Sequence, residues 1–389
     1  MSKKLIIIIL ILSALVFSSG RLVANAGNEQ EDGMNIEELI DNLDLSQLDA
    51  YFDSLSDKYG DIIGVSAGEY IKDIISGERK FDLNVVFQII FSSVGQAKNM
   101  IGIISLLVAM CIVWSLTSGI EFKNVSNSAK KAVNIACLSI MSVIILYWIY
   151  TLIGDAAAYF DDIQNLCNAI FPVFVTLLSV SGANASASAL SPAAAVFSAA
   201  LIGIVKNIVI PIAIAVLVLS VAGNLSDDIP LDGLRTLLEN VSGWIMRTGF
   251  FVFAAFLGTQ GIFTGISDNI SMRLGKFALS KYVPIIGGYL SDGFNYVVAG
   301  SIVIKNALGL TAVVLVFLRA LPIFITLVMA SLSLNLVAAI AEPLGIKSAS
   351  KILFKIDGCI KTLRAAVIGC AFLLIIFIGA VMMCGNTVL

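Results

Sequence analysis

Two lysines, Lys206 and Lys305, stand inside long apolar runs and are the residues of this chain best placed to act on something passing through it. A lysine at the centre of a membrane-spanning helix costs about 2.5–3.5 kcal/mol to insert, so it normally faces a wet cavity or a partner charge. Two of them suggest a polar path for a solute or ion, with Asn306 directly after Lys305. The plainer reading is that either lysine runs its ammonium along its four-carbon stem to the nearest interface. Gln260, Asn295 and Asn335 are further candidates for a polar lining, although hydrogen bonding between helices explains them equally well.

Other chemistry is excluded at the level of composition. The chain has no histidine in 389 residues, which removes imidazole acid–base catalysis, Ser-His-Asp and Cys-His triads and His-ligated metals. Leu274-Gly275-Lys276-Phe277 lacks the first glycine and the Ser/Thr of a phosphate-binding loop, so ATP is not hydrolysed by that route. Cys111, Cys137, Cys167, Cys359, Cys370 and Cys384 are dispersed and form no C-x-x-C pair, which argues against a disulfide framework or a thiolate metal site. No cofactor, no metal, no nucleic-acid partner and no enzymatic activity are expected.

The elements that must hold these residues are membrane helices. The chain is 58% hydrophobic and only 13% charged, against about 25% charged in soluble domains. Residues 1–26 read as a secretory signal: Lys3 and Lys4, an apolar run to Phe17, then Ala24-Asn25-Ala26 as a cleavage site. An uncleaved anchor helix is the alternative. Residues 27–97 form an acidic extracytoplasmic and interfacial arm. The part up to Asp82 carries fifteen acidic and four basic residues, and Ser66 with Glu69 has the form of a capping box. Within it Leu48, Tyr51 and Phe52 recur at helical spacing, and the arm is either a docking surface for another extracytoplasmic protein or a solvated tail.

Residues 98–389 form the polytopic domain. Apolar stretches of bilayer length, oriented by Lys and Arg, give spans at 100–120, 132–154, 163–182, 193–223, 248–266 and 365–384. Asp155, Asp161 and Asp162 mark an outer turn, Asp232 an outer end, and Leu231 to Arg247 an interfacial helix. The run from Ser301 to Ala341 accommodates two crossings joined by a tight outer turn at Arg319 to Pro322. Residues 345–364 read as a basic helix lying on the cytoplasmic leaflet, with Ala349, Ile352, Leu353, Ile356, Ile360 and Leu363 facing the lipid. The predicted fold class is all-α, a polytopic transmembrane bundle of about seven or eight spans. Phe171–Leu178 resembles Leu321–Val328, and Val205-Lys206-Asn207 resembles Ile304-Lys305-Asn306, an echo that would fit an internal repeat.

The count turns on a Gly-rich block at 283–309. Pro284, Gly287 and Gly288 with the glycines that follow would interrupt a helix, and irregular backbone at membrane depth needs protein or trapped water around it. That makes the block a candidate re-entrant or gating element. A loop followed by an ordinary span, with glycines for close packing, is the other reading.

The same block carries a family resemblance. Arg273-Leu-Gly275-Lys276-Phe277, Lys281-Tyr-Val-Pro284-Ile-Ile-Gly287-Gly288-Tyr-Leu-Ser291-Asp292-Gly293 and Ile304-Lys305-Asn306-Ala307-Leu-Gly309 resemble the stage III sporulation protein AE family. Leu45-Ser-Gln-Leu-Asp-Ala-Tyr-Phe52 in the arm and Gly258-Thr-Gln-Gly261 extend the likeness, as do length and order of parts. The resemblance implies a non-enzymatic multi-pass subunit of a secretion-like complex joining mother cell and forespore, in the mother-cell-derived membrane. Its implied partners are the other stage III A proteins, including a cytoplasmic ATPase and ring-forming proteins of the intermembrane space, with a forespore-side protein. It supplies no catalytic or ligand residues. A secondary transporter with a polar path near Lys206 and Lys305 is the competing function.

Overall fold

The computed structural model describes residues 36–78, 91, 95, 98–119, 127–225, 231–282 and 287–384. The elements among them are helices: α1 (Ile36–Asp41), α2 (Ser46–Ile63), α3 (Ala67–Ser76), α4 (Lys98–Gly119), α5 (Asn127–Val180), α6 (Asn184–Ala195), α7 (Ile210–Leu225), α8 (Asp232–Tyr282), α9 (Gly287–Ala341) and α10 (Lys347–Met383). Between α6 and α7 the chain stays helical but widens to i→i+5 turns over Val196–Ile202 and Val205–Val209. Six helical stretches among the described residues are long and apolar enough to cross a membrane, so the fold is a helical polytopic membrane bundle. The signal segment and Pro284 lie outside the described residues.

The helices run further than the hydropathy plot suggests. α5 has 54 residues and α9 has 55, each about 80 Å at 1.5 Å per residue, against about 30 Å of hydrocarbon. The outer turn expected at Asp155–Asp162 is continuous α5, and the tight turn expected at Arg319–Pro322 is continuous α9. The chemistry of the turns explains this. Reversal of a helix usually needs a residue in the left-handed region to satisfy its last carbonyls, and Arg319-Ala-Leu-Pro322 offers none. Reversals occur instead at Gly182 (φ 78°) and Gly345 (φ 80°). After α5, Ala183 N–H donates to Leu178 O at 2.9 Å and Gly182 N–H to Ser179 O at 3.1 Å. After α9, Ile346 donates to Ala341 O and Gly345 to Glu342 O, both at 3.1 Å. Both are the paired cap that a C′ glycine makes.

Two further expectations change for the same reason. From Gly287 to Gly309 the Gly-rich block is unbroken helix continuous with the rest of α9. Residues 347–364 continue into the last apolar stretch as α10, and the face expected to meet lipid (Ala349, Ile352, Leu353, Ile356, Ile360, Leu363) is fully buried against protein.

α9 and α10 form the antiparallel hairpin at the centre, with α5, α7 and α8 packed around it. From residue 300 to 316 every residue of α9 except Leu310 is buried. Phe171, Phe197, Phe253 and Phe377 tie α5, the widened turn, α8 and α10 together, with ring centroids 4.8 to 6.0 Å apart. Gly369 lets the Phe250 ring lie directly on the α10 backbone.

The arm folds back onto this body. α2 packs on α5, and α1 and α3 on α9. The Ser66 half of the expected capping box is present, with Ser66 Oγ accepting from Glu69 N–H at 3.3 Å. Asp49 accepts from Ala67 N–H at 2.8 Å and so joins α2 to α3.

A candidate charged seam between the helices

The lysines singled out by the sequence are both engaged, but not with each other. Lys206, in the second widened turn, pairs with Asp161 of α5. Lys305 is fully buried in α9 and donates to the Cys384 carbonyl at the end of α10, where the last turn leaves acceptors unfilled. Cys384 shares a small apolar cavity with Leu178, 17 residues and therefore about 25 Å along α5 from Asp161. The two lysines thus serve separate places, and the sequence echo does not give them a common environment. Asn306 is buried with its Oδ1 unpartnered. Gly287 and Gly288 begin α9.

Lys206 belongs to a charged belt about two-thirds of the way along α5. Arg319 pairs with Asp162, one residue on, and the Tyr51 ring of the arm is seated beside that pair. Burial pushes the Tyr51 phenol well above its ordinary range, with Arg319 opposing the shift and Asp162 adding to it. Leu48, Tyr51 and Phe52, predicted as a face for a partner, are buried within the chain, with Phe52 edge-on to Tyr70 at 5.5 Å. They seat the arm on its own body.

A second group of charges, which the sequence reading did not single out, lies between α7, α8, α9 and α10. Asp357 is fully buried and accepts from the Ser331 hydroxyl and from Asn335 Nδ2 at 3.1 Å, with Lys361 Nζ at 2.8 Å. Beside it Lys355 bridges Asp232 at 2.6 Å and Asn224 at 3.5 Å, while Arg235 holds Glu239 at 2.6 Å. The sequence reading puts Asp232 outside and Lys355 inside; their bond gives them one height. α8 turns Arg235 and Glu239 toward the bundle and Leu234, Leu237 and Trp244 outward, the reverse of a helix at a water surface. The available signals were Asp357 as a lone acid among the basic residues of α10, four before Lys361, and Ser331 four before Asn335. The side chains of Gln260 and Asn295 lie outside the described residues.

Chemically the seam is a set of fixed charges and hydrogen bonds. Among the described residues no three Cys, Asp or Glu side chains are grouped to hold a metal ion. Cys359 donates to Ala213 O at 3.3 Å and acts as a small packed side chain.

The profile of the family described as Stage III sporulation protein AE matches residues 65–385. The chain belongs to that family. It is also similar to Stage III sporulation protein AE of Bacillus subtilis (strain 168), 23% identical over 350 residues that cover 87% of each chain. No solved structure matches. The match with the stage III AE family takes in the charged belt, the seam, Lys206 and Lys305, and it begins at Val65, after Leu48, Tyr51 and Phe52.

Proposed function

We propose that this sporulation membrane protein is a non-enzymatic subunit of the channel complex between mother cell and forespore. In this reading a signal segment (1–26) delivers the arm (27–97) to the extracytoplasmic side and 98–389 is the membrane domain, placed in the mother-cell-derived membrane. Its partners are the other stage III A proteins, a cytoplasmic ATPase and ring-forming proteins among them, and a forespore-side protein. The observation that carries the reading is the family match along the whole polytopic region. The test is affinity purification of the full chain from sporulating cells: recovery of other stage III A proteins is expected, and its absence counts against the reading. Uptake of solute by the purified chain alone in liposomes overturns it.

The transporter reading has one specific support, a buried carboxylate, Asp357, among apolar helices. Lys206→Ala and Lys305→Ala decide whether its polar path matters. If both variants leave complex assembly and spore formation intact, there is no such path at those lysines.

A further inference from the structure

One outward line of residues runs the length of α5 at spacings of three and four: Val133, Ala136, Ile140, Val143, Tyr147, Tyr150, Gly154, Ala158, Asp161, Asn165, Asn168, Pro172, Thr176 and Ser179 are all exposed. Below Tyr147 the line is aliphatic; above Tyr150 it is small and polar. Tyrosines at such a change are what the headgroup zone of a bilayer selects. Three other observations agree. α4 is a helix of single-crossing length, 22 residues. It is held to α5 by Trp114 Nε1 donating to Asn134 at 2.9 Å, so antiparallel counting sets its first residue level with about Tyr150. The acidic arm is seated higher on α5, beside Asp162. Finally α6, which returns from the Gly182 turn, exposes Asn184, Ser188 and Ser191.

We infer that the lipid-contact surface of the α4–α5 flank ends at Tyr147 and Tyr150, and that the second half of α5, with α6, stands outside the hydrocarbon on the arm's side. The distance from Asn127 to Tyr150 is about 35 Å, one bilayer core with its inner margin, and the remaining 30 residues to Val180 rise about 45 Å beyond it. The apolar inner face of that half is satisfied by α9 and α10 and needs no lipid. The inference concerns this flank. α8, which packs elsewhere on the bundle, keeps Trp244, Phe251 and Val252 outward.

The test uses the full chain in liposomes containing brominated phosphatidylcholine, with single tryptophans at outward positions, read against the unsubstituted protein. Ile140→Trp is expected to lose most of its added emission to the brominated chains, and Asn168→Trp and Ser179→Trp to keep theirs. Asn168→Cys is expected to react with a membrane-impermeant maleimide without detergent. Quenching of N168W and S179W to the extent seen at position 140 overturns the inference. All four substitutions fall on exposed side chains, and the I140W signal reports that each comparison is made on inserted protein.

Discussion

Asp357 is the residue whose removal tells most. Its carboxylate collects a hydroxyl, an amide and an ammonium, so Asp357→Ala leaves a buried set of donors without an acceptor, at a cost of about 3–5 kcal/mol. A fall in melting temperature of the detergent-solubilised protein measures this. Asp357→Asn, which keeps the shape and one acceptor, falls less. Tyr51 gives a pH signature. Its raised pKa means that the seated phenol holds its proton while an unseated one releases it near the ordinary value of 10.0. The arm's attachment is therefore intact below about pH 10 and weakens above it. Protease sensitivity of the arm as a function of pH checks this, and Tyr51→Phe removes the dependence.

At the scale of elements, two contacts set how closely helices approach. A side chain on Gly369 meets the Phe250 ring, so Gly369→Val separates α8 from α10 at a cost of about 1–3 kcal/mol, visible as faster hydrogen exchange in both helices. Leu48 is fully buried under the arm. Leu48→Ala costs about 2–5 kcal/mol, and because the arm is small the loss is read locally, as cleavage within 36–76 while the body stays intact. Hydropathy revealed that α4, α5 and α10 exist and that they are apolar. It did not reveal that α5 and α9 continue through their charges, because Asp161 is neutralised by Lys206 and Asp162 by Arg319. Each charge looked like a boundary when read singly, and the pairing joins residues more than forty positions apart. The cap at Ser66 was legible because cap and partner are three residues apart. The candidate site was legible only in part: Lys206 and Lys305 stand out against apolar neighbours, whereas Asp357 is surrounded in sequence by lysines that make α10 look like a surface helix.

For the whole molecule, the bundle is a set of long helices with an acidic arm strapped to one side, about two-thirds of the way along α5. Such an arm is part of the body's own packing, so a deletion of residues 27–79 intended to remove a partner's docking site also uncovers α5 and α9. Substitutions of the outward Glu37 and Glu38 probe partner contact without that confusion.

The central hairpin imposes an order on biosynthesis. The stretch of α9 from 300 to 316 is walled in largely by α10, and the hook that fastens the two, Lys305 to the Cys384 carbonyl, uses a residue made 79 positions after the lysine. Until α10 has been made, the Cys384 carbonyl is not there to receive this lysine. A chain stopped just short of Cys384 lacks this fastening while every other helix is in place, and its central hairpin is expected to open more readily.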